Sequence, residues 1–220
     1  MSKPSARTQI FSRLYKNAGA IAPYTPEAPA WTPPALTPAK RIARFVELME
    51  AVRSEVYRVK GDAWVDALRK LMRTRELATL AYGKGTWCGD LLEKSWKEKP
   101  HPTDLIPWTQ DVEEFRDELF GINAGITTTM GGIAEAAALI LWPTPEEPRL
   151  LSLVPPVHIA LVKAKEIVTS FPEAIKKLDW AKKAPTNSLL ISGPSKTADI
   201  ELILQFGVHG PTDLIVFVIE

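Results

Sequence analysis

Four side chains near the carboxyl terminus have the types and spacing to bind a small anion. Gly193-Pro194 sets a tight turn, Ser195, Lys196 and Thr197 follow it, and His209 stands between Gly207 and Gly210. Hydroxyls, an ammonium and the free N–H groups of a helix start are what a phosphate or carboxylate needs. Apolar runs bracket the segment, Ser188–Ile191 before it and Leu214–Ile219 after it, with the length and branching of buried strands. The pattern predicts strand, turn, short helix over Thr197–Leu204, second turn, strand. Within it Ser195 or Thr197 either caps the helix or holds the anion, and Asp199 and Glu201 sit in the first turn, where the helix dipole favours carboxylates. His209 reads as a structural imidazole or as a general base.

A second group lies upstream. Gly125, Thr127 and Thr128 form either a hydroxyl-lined turn facing the first or an ordinary strand end, and Glu135 reads as a structural carboxylate or as a base or nucleophile. His158, between Val157 and Ile159, reads as a satisfied core residue. Open α/β sheets bind ligands beyond the carboxyl ends of their strands, so Gly125, Thr127 and His209 are expected to border one crevice there with the Gly193–Thr197 turn.

The elements that must position these groups follow from periodicity. Ile10, Phe11, Leu14 and Tyr15 make one helical stripe in residues 5–16, too short to be stable without a docking surface. Prolines at 23, 26, 29, 33, 34 and 38 make residues 19–39 an extended linker. Residues 1–36 are therefore read as an arm, wrapping its own body or joining a second copy of the chain, and 37–220 as the body. In the body Ile42, Phe45, Val46, Met49, Val52 and Val56 predict one long helix, and Trp64, Leu68, Leu71 and Met72 a second. Ala78–Tyr82 reads as a strand, Thr86 as the cap of a helix with Leu91, Leu92 and Trp96, Leu105-Ile106 as a strand, and Val112, Phe115 and Leu119 as a helix stopped by Gly121. Gly121–Trp142 reads strand, short helix, strand; Leu150–Leu153 is extended, His158–Val162 a strand, and Lys163–Leu178 a helix interrupted near Pro172. Strands alternating with helices predict an α/β fold with a mainly parallel sheet flanked by helices.

Composition narrows the chemistry. Cys88 is the only cysteine among 220 residues, which excludes an internal disulfide and a four-cysteine iron–sulfur cluster held by this chain alone. Three histidines, His101, His158 and His209, are too few to supplement it as a usual zinc site, so no metal and no cofactor is expected here. The net charge of +1 divides into +6 over residues 1–60 (ten Lys and Arg, four Asp and Glu) and −5 over the rest (seventeen and twenty-two). Basic residues interleaved with exposed aromatics are missing, which argues against nucleic acid. No apolar run approaches the ~20 residues of a membrane span, and the start lacks a secretory signal, so the cytoplasm is the expected compartment.

Three separated motifs carry a resemblance: Ile191–Glu201 with Gly207–Pro211, Gly125-Ile126-Thr127 with Ala134-Glu135, and Pro155-Pro156-Val157-His158-Ile159. In order and spacing they resemble the lactate utilization protein C family, the LUD-domain group, over roughly residues 37–220. The resemblance implies a fold similar to sugar-phosphate isomerases and CoA transferases. It also implies a non-redox part in oxidising L-lactate to pyruvate beside iron–sulfur partner proteins, with a small anionic metabolite as ligand. The other class left open is a standalone enzyme or binding protein for a phosphorylated or CoA-linked metabolite. By this likeness Glu135 matches the glutamate of CoA transferases. One departure bears on that role: the family follows Ala-Glu with Thr-Gly-Thr, where this chain has Ala136-Ala137-Ala138.

Overall fold

The structure is a computed structural model that describes residues 5–17, 32–108, 118–183, 185–198, 204–206 and 209–220. It divides into two units, Met1–Thr32 and Pro33–Glu220. In the first, helix α1 (Ala6–Asn17) carries Ile10, Phe11, Leu14 and Tyr15, all exposed, with Phe11 stacked on Tyr15.

The second unit is built on a six-stranded, wholly parallel sheet. Its strands are β1 (Glu55–Val59), β2 (Thr79–Gly83), β3 (Asp104–Trp108), β4 (Ala124–Thr128), β7 (Val157–Lys163) and β12 (Asp213–Ile219), in the order β1-β12-β7-β4-β2-β3. The central strands are apolar on both faces, as a parallel sheet covered on two sides requires. One face packs under α3 (Trp64–Thr74) and α4 (Trp87–Glu98), where Trp64, Leu68, Met72 and Leu92 meet Ile159, Ile215 and Phe217. Against the other face lie α2 (Pro38–Ala51), through Phe45 and Met49, and a second sheet of four strands. That sheet has the order β8-β5-β6-β9, from β5 (Gly131–Ile133), β6 (Ala138–Leu141), β8 (Ile167–Val168) and β9 (Leu189–Ile191), and its outer side is covered by Ala174 of α5 (Phe171–Lys177) and by Trp180, which begins α6 (Trp180–Lys183). Each large side chain fully withdrawn from water in these layers contributes roughly 1.5–3 kcal/mol.

Several elements depart from the periodicity. The long helix expected through Val56 ends at Ala51. Arg53 adopts a left-handed conformation (φ 69), Arg53 N donates to Glu50 O and Ser54 N to Met49 O, and the chain leaves as β1. This is a Schellman stop built without glycine. The short helix expected after Thr128 is instead β5, paired antiparallel with β6. Leu150–Leu153 is not extended: Arg149–Ser152 is a 3-10 turn closed by Leu151 N to Pro148 O and Leu153 N to Leu150 O. The helix expected from Lys163 begins only at Phe171, with the Ser170 hydroxyl accepting from Glu173 N and Pro172 in the first turn, after a 3-10 turn and β8. The helix expected at Val112–Leu119 falls largely outside the described residues.

The largest departure is at the expected anion turn. Lys196–Ala198 is a strand, β10, paired antiparallel with β11 (Leu204–Phe206), so the helix expected over Thr197–Leu204 is not formed at either end. Asp199, Glu201 and Gly207 lie outside the described residues. A backbone whose N–H and C=O groups serve a strand ladder has no helix N-terminus to offer an anion. β9, expected to be buried, has Leu190 facing solvent because it is the edge of the smaller sheet.

Candidate functional site

A cleft of about 260 Å3 opens where β7 and β12 begin. Three stretches of chain wall it: Ser152-Leu153 ahead of β7, the turn that runs from β9 through Ser192, Gly193, Pro194 and Ser195, and His209-Gly210-Pro211 ahead of β12. Local physics fixes the turn. Gly193 has φ 140, a conformation that L side chains rarely adopt, and a Cβ there would come within 3.1 Å of Val52, just past the stop of α2. Ser195 N donates to Pro211 O at 2.8 Å, tying the turn to the entry of β12.

His158 and Leu214, the second residues of β7 and β12, close the inner end. The imidazole is only 1% exposed, its Nε2 lies 2.9 Å from Thr127 Oγ1, and its Nδ1 has no partner among the described residues. Burial pushes its pKa down to about 3, so the ring is neutral at pH 7. A neutral imidazole has one N–H and one lone pair; with Nε2 engaged by Thr127, Nδ1 offers the complementary role. A buried ring nitrogen left unpaired costs about 1–3 kcal/mol, which makes it the most conspicuous polar atom of the cleft. The remaining wall is hydroxyl (Ser152, Ser192, Ser195) and aliphatic (Leu153, Ile191, Leu214).

The expected site residues therefore divide. Gly193, Ser195 and His209 come together in the cleft, but at the amino ends of the strands rather than beyond the carboxyl ends. Gly125 and Thr127 are not in its wall. Gly125 pairs with His158 and lies under the 3-10 turn, where a Cβ would collide with the Leu151 carbonyl oxygen; Thr127 reaches the cleft only through its bond to His158. The backbones of Lys196 and Thr197 form β10, and their side chains are outside the described residues. Glu135 is elsewhere: its Oε1 accepts from Phe171 N at the start of α5. His158, read from its apolar neighbours as a satisfied core residue, is buried but half satisfied. Its signal was an imidazole in the interior of a strand that parallel pairing buries on both faces.

The carboxyl ends of β2 and β4 look different. Glu147 enters between them, against Gly83 and Thr128, and the space beside it on the β4 side, walled by Thr128, Leu141 and Trp142, is only about 10 Å3. Its carboxylate accepts from Thr128 N at 3.1 and 3.3 Å, from Thr128 Oγ1 at 2.5 Å and from Cys88 Sγ at 3.7 Å. Burial raises the pKa of Glu147 despite these bonds, and burial together with the nearby carboxylate pushes the Cys88 thiol up to about 12. Sequence reasoning left Glu147 out, since nothing in Pro143–Pro148 marks one glutamate as turned inward and half-buried. Among the described residues no group of three or more His, Cys, Asp or Glu is placed to hold a metal ion, and no helix is long and apolar enough to cross a membrane.

Comparison with known proteins bears on this architecture. The family model of the LUD domain matches residues 42–219. An uncharacterized protein of Neisseria meningitidis serogroup B is 34% identical over 182 residues, covering 82% of this chain and 77% of its own. The lactate utilization protein C of an Exiguobacterium species is 26% identical over 93% of this chain and 92% of its own, and lactate utilization protein C 1 of Bacillus mycoides is 27% identical over 93% of each. The crystal structure of a DUF162 family protein from Deinococcus radiodurans superposes with a TM-score of 0.63 over 84% of this chain and all of that one, at 19% identity, a likeness of fold.

Proposed function

The chain belongs to the LUD-domain family, and from that premise we propose that it is the non-redox component of an L-lactate utilization system, working in the cytoplasm beside iron–sulfur partner proteins. The observation that carries the reading is the match to lactate utilization protein C relatives over nearly the whole length of both chains. Oxidising lactate to pyruvate removes two electrons, which need a sink. A chain with one cysteine, buried and protonated, supplies no cluster, so the sink belongs to the partners. Its fold is then a variant of the sugar-phosphate isomerase and CoA transferase arrangement, used for binding.

In this reading the cleft at the starts of β7 and β12 holds a small carboxylate metabolite. Ser192 and Ser195 supply hydroxyl donors at the turn, His209 stands at the exposed mouth, and His158 Nδ1 takes a polar atom of the ligand at the inner end. The aliphatic wall suits a short carbon chain. No redox step is assigned to any residue here.

Purified alone, the chain should not reduce an artificial electron acceptor with L-lactate, and activity should appear when the iron–sulfur partner proteins are added. Turnover by the isolated, cofactor-free chain would overturn the proposal and favour a standalone enzyme.

A further inference from the structure

The central sheet changes its direction of growth once. From β2 the chain steps outward to β3, then returns to β4 on the other side of β2, and goes on from β4 towards β7 and β12. The connections leaving β2 and β4 therefore diverge, and in an open parallel sheet that divergence leaves a crevice at the carboxyl ends of the two strands, where ligands bind. In this protein the place is taken by the chain itself. Gly83 ends β2, and a Cβ on it would lie 2.5 Å from Glu147 Cγ and 2.6 Å from Glu146 O, so the glycine is what lets the 143–148 loop enter.

Only one side chain goes in. Thr144, Pro145 and Glu146 are exposed, and the loop is closed on itself by Thr144 N to Glu147 O (3.1 Å) and Glu147 N to Thr144 Oγ1 (3.0 Å). Every donor that meets the Glu147 carboxylate is neutral: a backbone N–H, a hydroxyl and a thiol. No ion pair of Glu147 is present among the described residues, although the exposed Arg149 borders the small space beside Thr128 and Glu147. Withdrawing a carboxylate even partly from water without a cation is costly, and neutral donors offset it only in part. The crevice is thus shaped and wired for a carboxylate, and its present occupant is held there at a cost.

We propose that the crevice between β2 and β4 is a binding site for a short monocarboxylate, kept shut by Glu147 as an occupant supplied in cis. An incoming carboxylate exchanges for that of Glu147 on Thr128 N–H and Oγ1–H and gains Arg149 at the rim, while the 143–148 loop moves off as a unit. This goes beyond the lactate-system reading and does not rest on it.

The test uses the full-length isolated chain with sodium acetate as probe and sodium chloride at equal ionic strength as control. Glu147→Gln keeps the shape of the plug and removes its charge, and Glu147→Ala empties the crevice. Acetate should bind both variants about tenfold or more tightly than wild type, read by line broadening of 13C-acetate and by movement of the Thr128 amide resonance. In the Glu147→Ala background the melting temperature should rise saturably with acetate and not with chloride, and adding Thr128→Val should weaken the effect several-fold. If Glu147→Ala does not fold, Glu147→Gln decides alone. The proposal fails if neither folded variant binds acetate more tightly than wild type, or if Thr128→Val leaves the binding unchanged.

Discussion

The two ends of the central sheet treat polar groups in opposite ways. Where β7 and β12 begin, the chain leaves about 260 Å3 open above a buried imidazole with an unpaired nitrogen. Where β2 and β4 end, a carboxylate that three donors satisfy stands between them, and only about 10 Å3 is left beside it on the β4 side. The usual rule for open α/β sheets points to the second end, whereas open volume and an orphaned polar atom point to the first. What separates them is how far the chain reaches in: Ser152, at the end of the 3-10 turn, only walls the cleft, whereas the 143–148 loop puts the Glu147 side chain between the strand ends.

Glycines set both boundaries, and methyl groups there should break the contrast most severely. Gly125→Ala should cost about 3 kcal/mol or more in urea unfolding, because the Leu151 carbonyl it meets is backbone and cannot step aside. At Gly83 the obstacle is the Glu147 side chain and the Glu146 carbonyl of an exposed surface loop, so Gly83→Ala should cost less, about 1–2 kcal/mol, by pushing the loop out. Equal costs at the two positions would show that the 143–148 loop is as fixed as the 3-10 turn.

Next in size is the bond that ties the amino-end cleft to β4. Thr127→Val keeps the shape and removes the one partner of His158 Nε2, leaving both ring nitrogens unpaired in the interior. About 2 kcal/mol should be lost. A change within 0.5 kcal/mol would mean that the imidazole turns to find another partner, and the cleft floor would then be adaptable rather than preset.

How much of this was legible in the sequence depends on whether the signal was local. Helix α3, the Thr86 cap and strands β2, β7 and β12 could be read because their periodicity and caps are complete within each segment. The end of α2 could not, since its left-handed stop is an arginine and Val52 and Val56 extend the helical spacing across it. β10 was misread as a helix because Ser195 and Thr197 suit a cap as well as a strand, and only pairing with Leu204–Phe206 decides between them. In the cleft, Gly193, Ser195 and His209, singled out by turn chemistry, share one wall. The inward placement of His158 and Glu147 was not legible, because where a single polar side chain ends up is a property of the assembled layers.

The buried His158 and the half-buried Glu147 should also answer pH with opposite sign. The unfolded imidazole of His158 takes its proton near pH 6.5 and the folded one only near 3, so the unfolded state binds more protons between those values. Its contribution is complete above pH 6.5 and is lost as pH falls, with a slope approaching about 1.4 kcal/mol per pH unit. Glu147 has its folded pKa raised by burial, so its contribution is complete below the ordinary carboxylate value and declines as pH rises through the raised one. Urea unfolding from pH 4 to 7 should therefore flatten in His158→Gln and steepen in Glu147→Gln. A wild-type slope unchanged by His158→Gln would place the proton uptake on another group and weaken the account of the cleft.

The smallest effect concerns a turn that belongs to neither end. Ala134–Ala137 joins β5 to β6, and Ala137 stands at φ 44, a left-handed conformation that costs an L residue roughly 1–2 kcal/mol. The family pattern places its glycine at this position, within Thr-Gly-Thr. A glycine there would relax the hairpin backbone, so its replacement is expected to bear on stability. Against the relief of strain stand the loss of a buried methyl and the extra freedom glycine gives the unfolded chain. The balance should leave Ala137→Gly more stable by about 0.5 kcal/mol. Ala138→Gly, one residue on and inside β6, should instead lose about 1 kcal/mol, since there the methyl packs and no strain is relieved. Acetate and L-lactate binding should be unaffected by either change. If Ala137→Gly altered the affinity for a carboxylate, the hairpin turn would join one of the two ends as part of a site, and the division of the sheet into an open end and a filled end would have to be redrawn around it.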